Sequence, residues 1–214
     1  MRILITAGPT REPIDAVRFI SNRSSGKMGI AIAQAAADAG HEVTLLLGPV
    51  MAPAALHDQM RVYRFGTSAE LKQMLEAHFP DCEVLVMAAA VADYRMEQAS
   101  EGKIKRESAG GRDAELTLRL QPTPDLVRAV ASTKRPEQKV VAFALEEPME
   151  MEQRAVAKMK RKGVDAMVAN PLGTMDGDHI TPLWLLADGQ RTEPGRMTKT
   201  DFAGWLVEHL VGLR

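Results

Sequence analysis

The stretch RILITAGPTREPIDAVRFISNRSSGKMGIAIAQAAADAGHEVTLLL (residues 2–47) decides the fold. Short apolar runs at residues 3–6 and 43–47 flank a helical pattern over residues 27–39. Runs that are apolar on both faces and are separated by a helix are typical of a parallel sheet that is covered on both sides. The stretch therefore predicts a strand–helix–strand unit with a long loop after its first strand.

The same alternation continues along the chain. Further apolar runs stand at residues 84–88, 140–144 and 166–169, and helical patterns cover residues 68–78, 124–132 and 149–162. Strands that alternate with helices join into a layered sandwich through right-handed crossovers. We predict an α/β fold, a Rossmann-like three-layer sandwich with a mostly parallel sheet.

The helix predicted at 124–132 has a clear start signal. Thr123 can cap it, Pro124 occupies its first position and Asp125 favours the positive end of the helix dipole. We therefore expect Thr123 to be the capping residue.

Two stretches interrupt the alternation. Residues 103–120 hold two alternating runs around Gly110-Gly111, which predicts a β-hairpin arm. Residues 180–197 predict a second, C-terminal β-hairpin with its turn at Asp188-Gly189, and a last helix over 199–212 follows. No repeat or linker divides the chain, so we expect one domain over residues 1–214.

Composition excludes several classes of protein. Of the 214 residues, 45% are hydrophobic and 26% are charged, and 27 basic residues against 28 acidic ones give a net charge of −1. This balance is typical of a folded globular protein, and it gives no positive field for nucleic acid. Cys82 is the sole cysteine, so no internal disulfide can form. With no signal peptide and no apolar run long enough for a membrane span, a cytoplasmic protein is expected.

The long loop at residues 6–29 is the first candidate site. Ser25, Gly26 and Lys27 open the predicted helix, and such an N-terminus presents N–H groups and a positive dipole end to an anion. An ordinary capped helix is the alternative for these residues alone. Further basic residues in the loop, among them Arg18, favour an anion site.

Neither standard phosphate motif fits this loop. In the P-loop pattern, Ser21 stands where the first glycine belongs and Met28 follows the lysine. Only the second half of the dinucleotide fingerprint is present, at Gly26 and Gly29, and the second strand ends without the acidic residue that binds a ribose. A standard NAD site is therefore disfavoured.

The third apolar run leads into Ala88-Ala89-Ala90, and Asp93 follows shortly after. Small residues at the carboxyl end of a strand let a ring or a phosphate approach the main chain, and ligands of open sheets bind at that edge. Lys103 lies on the arm, and Lys158 and Lys162 share one helix face. Solvated surface positions are the alternative for these lysines, and a turn or cap position is the alternative for Asp93.

Together these segments resemble the phosphopantothenoylcysteine synthetase family (phosphopantothenate–cysteine ligases), the second enzymatic half of the bacterial bifunctional coenzyme A flavoprotein. The resemblance rests on ITAGPTREPIDAVRFISNRSSGKMG (5–29), AAAVADYR (88–95), KIKR (103–106), PTPDLV (122–127), VVAFALEE (140–147) and the K-x-x-x-K helix before DAMVANP (165–171). It implies a ligation in which 4′-phosphopantothenate is activated by CTP as an acyl-cytidylate. Cysteine then displaces CMP.

The resemblance also implies roles for individual residues. The catalytic set comprises Asn22, with Arg18 and Ala90 beside it at the acyl intermediate, and Lys103, which clamps the triphosphate. Residues implied to bind the nucleotide are Ser25, Gly26, Lys27, Met87, Ala88, Ala89, Asp93, Lys103, Pro124, Asp125, Leu126, Val127, Phe143, Lys158 and Lys162. Magnesium is expected to accompany the triphosphate, with no residue assigned to it.

The family further implies a homodimer, in which the arm finds a partner surface, and a separate flavoprotein decarboxylase partner. Two departures bear on the nucleotide pocket: FALEE replaces the more usual FAAET at residues 143–147, and Thr123 replaces an asparagine. The resemblance implies CTP as the nucleotide. Because these departures touch the nucleotide pocket, the preference for CTP over ATP is an expectation separate from that of ligase activity.

Two other functions are alternatives to the ligase. A short-chain NAD(P)-dependent oxidoreductase requires a Tyr-x-x-x-Lys pair, but Thr67 and Gln98 stand four residues after the two tyrosines. A regulatory subunit without catalysis is expected to lack Asn22 or Lys103, and both are present. Pyrophosphate release that requires phosphopantothenate distinguishes the three.

Overall fold

The computed structural model describes residues 1–51, 56–105, 115–175 and 177–213. Fourteen strands and five α-helices are formed by these residues. The strands are β1 Arg2–Ala7, β2 Arg11–Pro13, β3 Phe19–Ser21, β4 Glu42–Leu47, β5 Arg61–Arg64, β6 Val84–Met87, β7 Tyr94–Met96, β8 Leu120–Pro122, β9 Lys139–Glu146, β10 Ala166–Pro171, β11 His179–Ile180, β12 Leu183–Leu186, β13 Arg191–Thr192 and β14 Met197–Thr198. The helices are α1 Lys27–Asp38, α2 Ser68–His78, α3 Leu126–Ala131, α4 Met151–Lys162 and α5 Lys199–Val211.

The main sheet has eight strands in the order β13-β12-β10-β9-β6-β1-β4-β5. From β10 to β5 all neighbours are parallel, and β12 and β13 are antiparallel additions. This confirms the predicted Rossmann-like sheet. Strand order reverses between β1 and β6, and a reversal of this kind opens a crevice at the carboxyl ends of the strands.

Two apolar cores make the three layers. On one face, α1 and α5 pack on side chains such as Ile5 and Leu45, and on the other face α2, α3 and α4 pack on side chains such as Leu85. Helix α1 lies unusually close to β1, since a Cβ placed on Gly29 would stand 2.6 Å from the Cβ of Ala7. The glycine thus sets the depth at which α1 meets the sheet.

The start of α3 corrects one prediction. Asp125, not Thr123, is the N-cap: its side chain accepts a hydrogen bond from the N–H of Arg128 over 3.1 Å. The carboxylate of Asp125 is a stronger hydrogen-bond acceptor than the hydroxyl of Thr123. The helix therefore begins after Asp125, and Pro124 lies before it.

The edge strand β5 was not predicted, because its sequence RVYR is charged at both ends and largely exposed, as protected edge strands are.

The C-terminal hairpin is confirmed, with β12 and β13 joined through Asp188-Gly189. The predicted arm differs. Residues 103–105 and 115–119 form no strand, and the antiparallel pair lies at the base of the arm, where β7 meets β8. Residues 106–114, which include the predicted tip, lie outside the described residues.

Among the described residues, no helix is both long and apolar enough to cross a lipid bilayer.

Candidate active site

A cleft of about 590 Å³ opens at the carboxyl edge of β6, β9 and β10, beside the point where the strand order reverses. Most of the residues predicted to bind substrate line it. They are Asn22, Met87, Ala88, Ala89, Ala90, Asp93, Pro124, Asp125, Leu126, Val127, Phe143, Lys158 and Lys162. The fold thus gathers segments that are up to 140 residues apart into one cavity of ligand size.

Hydrogen bonds between the loops that follow β1 and β6 hold this edge together. The Thr6 hydroxyl accepts from the N–H of Ala89 over 3.0 Å, and the Thr10 hydroxyl accepts from the N–H of Ala92 over 3.1 Å. Ala90 bonds through its main chain to Gly8 and Thr10. The alanines consequently present a rigid main chain, with little side chain, to the cleft.

Asn22 is fixed against this alanine run. Its Nδ2 donates a hydrogen bond to the main-chain oxygen of Ala90 over 3.0 Å, and the side chain is half-buried. An amide nitrogen carries two N–H donors, so a second one can serve a ligand. The predicted proximity of Asn22 and Ala90 is therefore met in the structure.

Two lysines of α4 face the cleft, each in an ion pair. Lys162 Nζ lies 2.8 Å from both carboxylate oxygens of Asp125, and Lys158 pairs with the buried Glu146. Partial burial opposes ionisation of Asp125, but Lys162 and the N–H of Arg128 outweigh it, so the pKa of this carboxyl is lowered from its usual value. Carboxylates thus hold both ammonium groups in place in the cleft.

The start of α1 stands beside the cleft. Gly26 caps the helix with a φ of 76°, and a Cβ there would come within 2.7 Å of Val50, so a glycine is required. Lys27 extends to Asp178 over 2.7 Å. Ser24 and Met28 line the cleft, whereas the predicted Ser25, Gly26 and Lys27 do not.

Arg18 and Lys103 also lie outside the cleft lining. Arg18 is in an ion pair with Asp15, and its Nη2 donates to the main-chain oxygen of Ile104 over 3.0 Å. Lys103 is exposed. The structure therefore places Arg18 against the main chain of Ile104, the neighbour of Lys103, and neither of these two predicted catalytic residues lines the cleft with Asn22.

Two residues that line the cleft each carry a buried oxygen; Asn170 was not among the predicted site residues, and Thr123 was predicted as a helix cap. The Oδ1 of Asn170 and the Oγ1 of Thr123 are buried, and neither has a hydrogen-bond partner among the described residues. Leaving such an atom unpaired costs about 1–3 kcal/mol, so both are sites where a ligand can supply a donor. The sequence did hold a signal for Asn170, because it is a polar residue at the end of an otherwise apolar strand, where ligands bind.

Cys82 is buried and does not line the cleft. Burial raises the pKa of the Cys82 thiol to about 12, which makes it a poor nucleophile. Within the described ranges, no three His, Cys, Asp or Glu side chains stand close enough together to hold a metal ion.

Comparison with known proteins identifies relatives of this chain. The model of the DNA/pantothenate metabolism flavoprotein C-terminal domain (DFP) family matches residues 1–213. The coenzyme A biosynthesis bifunctional protein CoaBC of Mycobacterium tuberculosis is 39% identical over 98% of this chain and 52% of its own length. A protein named cysteine/cysteine sulfinic acid decarboxylase, from an unknown prokaryotic organism, is 45% identical over 80% of this chain and 46% of its own length.

A solved structure agrees with the sequence relatives. The crystal structure of the C-terminal domain of a coenzyme A biosynthesis bifunctional protein CoaBC superposes with a TM-score of 0.81 at 30% identity, over 98% of this chain and 93% of that one. The chain spans about half the length of the curated relatives it matches. It belongs to the DNA/pantothenate metabolism flavoprotein C-terminal domain family.

Proposed function

We propose that this chain joins 4′-phosphopantothenate to cysteine, using CTP, to make 4′-phosphopantothenoylcysteine for coenzyme A biosynthesis. The observation that carries the proposal is the single cleft that holds the Asn22–Ala90 pair together with Lys158 and Lys162. An amide donor suits a developing oxyanion, and two ammonium groups suit a phosphate chain. Relatives named for coenzyme A biosynthesis match this chain over nearly all of its length.

The first step forms an acyl-cytidylate. A carboxylate oxygen of 4′-phosphopantothenate attacks the α-phosphorus of CTP, and the bond to the departing pyrophosphate breaks. No proton has to be removed from carbon, so positioning and fixed charge supply most of the catalysis. Lys158 and Lys162 hold the phosphates, and the main chain at Ala88–Ala90 allows the close approach that the reaction needs.

The second step transfers the acyl group to the amine. The cysteine nitrogen attacks the acyl carbon and loses a proton to solvent, and the bond between the acyl carbon and the phosphate oxygen of CMP breaks. Negative charge gathers on the acyl oxygen before CMP leaves, and an N–H of Asn22 can donate to it without bringing a competing charge. Lys103, at the base of the arm, is proposed to contact the triphosphate in the first step.

Magnesium enters this account as part of the substrate. A triphosphate normally carries the ion, which keeps several waters and binds few protein groups. We propose that the ion arrives with the nucleotide and that Asp93, which lines the cleft, is the carboxylate beside it.

Partners follow from exposed features and from the relatives. Large apolar side chains of Val17, Phe19, Tyr94, Leu116 and Leu120 are exposed, and we propose that a second copy of the chain covers those of the arm in a homodimer. The CoaBC relative is about twice as long as this chain and is named bifunctional, so a flavoprotein decarboxylase is the proposed second partner. A cytoplasmic location is proposed with this pathway.

Pyrophosphate release tests the proposal against the alternatives. We expect release that requires 4′-phosphopantothenate, with a higher kcat/KM for CTP than for ATP. Release without phosphopantothenate would contradict the ligase, and no release with either nucleotide would favour a regulatory subunit. Reduction of a nicotinamide cofactor would favour the oxidoreductase, although the chain lacks the Tyr-x-x-x-Lys pair.

A further inference from the structure

Asp15 is a buried acid for which the proposed chemistry has no use. Its side chain is 0% exposed, although it lies in the loop between β2 and β3. One carboxylate oxygen accepts from the N–H groups of Val17 and Arg18, over 2.9 and 2.8 Å. The other accepts from Arg18 Nε and from the N–H of Ile104, both over 3.0 Å. A single carboxylate therefore joins two segments that are 89 residues apart.

Arg18 completes the contact with the second segment. Its Nη2 donates to the main-chain oxygen of Ile104 over 3.0 Å while the guanidinium is paired with Asp15. Both main-chain groups of Ile104 are thereby bound by one acid–base pair, which we call the Asp15–Arg18 latch. Ile104 itself is half-buried, and its neighbours Lys103 and Lys105 are exposed.

We propose that Asp15 is a positioning residue for the ligase reaction, one that fixes the main chain of Ile104 and so sets where Lys103 presents its ammonium group. This inference rests on the proposed function. It also explains why Arg18 stands outside the cleft: it acts on the arm through the latch. Arg18 further holds the carboxyl of Asp15 ionised, with a pKa well below the usual range.

The charge of Asp15 is the part that matters. Asn keeps one acceptor oxygen where Asp15 uses two, one for the N–H groups of Val17 and Arg18 and the other for the N–H of Ile104. It could also no longer hold the guanidinium of Arg18 as an ion pair, so both main-chain contacts with Ile104 would weaken. Within the described part of the chain, residues 103–105 belong to no strand, so no sheet pairing holds this segment. Weakening of the latch would therefore let the main chain move at Lys103.

A matched control lies three residues earlier, in β2. Glu12 is also buried, but its Oε1 accepts from the N–H of Ser68 at the start of α2, over 2.8 Å. Glu12→Gln and Asp15→Asn make the same chemical change in similar surroundings. Only Asp15→Asn acts on the arm.

The test is a double-mutant cycle between Asp15→Asn and Lys103→Gln, read as kcat and KM for CTP. We expect Asp15→Asn to raise the KM for CTP about tenfold, the loss typical of one charge-assisted hydrogen bond. In the Lys103→Gln background it should add less than about twofold, because the two residues act as one unit. Glu12→Gln should leave the KM near that of the wild type. Full multiplication of the two effects would overturn the proposal.

Amide hydrogen exchange gives a readout that needs no activity. Asp15→Asn should speed exchange at Ile104 but not at Ser68, and Glu12→Gln should do the reverse. Unchanged exchange at Ile104 contradicts the latch, whereas faster exchange without any pyrophosphate release from the wild type contradicts the proposed function and leaves the latch standing. If Asp15→Asn does not fold, Arg18→Lys tests the same contact with Ile104. Its effect on the KM for CTP should likewise be non-additive with that of Lys103→Gln, and independent effects of these two substitutions would overturn the proposal.

Discussion

The side-chain amide of Asn22 donates to the main-chain oxygen of Ala90 over 3.0 Å. The same oxygen accepts from the N–H of Thr10 over 3.1 Å, so it is held by two donors from the loop that follows β1. This pair joins the approach to α1 with the end of β6, across the crevice where strand order reverses.

Asn22→Asp should slow amine transfer more than nucleotide binding. The variant replaces an N–H donor with a carboxylate oxygen about 3 Å from a carbonyl oxygen, and it places negative charge where the acyl oxygen has to be stabilised. Loss of one such donor typically lowers the rate about 10²–10³-fold. Mass spectrometry of the product and calorimetry of CTP binding measure the two effects. Product formation at the wild-type rate would refute the role assigned to Asn22.

Substitutions in the arm should separate dimerisation from nucleotide use. Leu116 is 45% exposed, and replacing Leu116 and Leu118 with Asp should loosen a homodimer and lower activity with it, because the apolar cover is lost. Lys103→Gln should raise the KM for CTP and leave the dimer intact. Light scattering on the wild type and both variants, with parallel pyrophosphate assays, makes the comparison. A fully active wild-type monomer at the assay concentration counts against the dimer.

Asn170→Leu should trade substrate affinity for stability. The Oδ1 of Asn170 is buried without a partner among the described residues, so removing it relieves an unpaired acceptor, with an effect of up to about 1–3 kcal/mol on the free energy of unfolding. Thermal unfolding should show an unchanged or higher Tm. The KM of a substrate should rise, since the acceptor it would meet is gone. A lower Tm with unchanged KM values would mean that Asn170 serves the fold.

Asp125→Asn should reveal the ion pair with Lys162 through pH. The folded-state pKa of Asp125 is lowered, so its contribution to stability is present above the unfolded pKa of about 3.9 and is lost as pH falls through the folded-state value. Asn remains a good N-cap, so only the charge changes. Wild type and variant should differ at pH 7 by about 1 kcal/mol or less, as partly exposed pairs do. In acid their unfolding curves should converge, and a constant difference down to pH 3 would contradict the assignment.

Apolar periodicity was enough to predict the central parallel strands of the main sheet and the helices that cover them. Buried strands such as β1 and β4 show it plainly, because both of their faces enter a core. Edge strand β5 and the short strands β2 and β3 have no such pattern, since they are largely exposed. These strands form because neighbouring strands pair with them, and the residues that create those pairings lie elsewhere in the sequence.

The candidate site was predictable only in part. Lys162 was found from its spacing on a helix, but its pairing with Asp125 depends on how α3 and α4 pack, and no local rule gives that. Likewise, the motif that contains Asp15 was evident, but its contact with Ile104 joins loops from distant parts of the sequence. Residue types indicate which chemistry a site can perform. Which residues come together in that site depends on contacts that only the fold creates.

The central claim is that the cleft activates a carboxylate as an acyl-cytidylate and passes it to cysteine. Mass spectrometry of one reaction mixture, with and without cysteine, tests this most directly. With 4′-phosphopantothenate and CTP alone, we predict the acyl-cytidylate and one equivalent of pyrophosphate. Adding cysteine should convert it to 4′-phosphopantothenoylcysteine and CMP. Formation of CDP and inorganic phosphate instead, or no nucleotide turnover at all, would contradict the account.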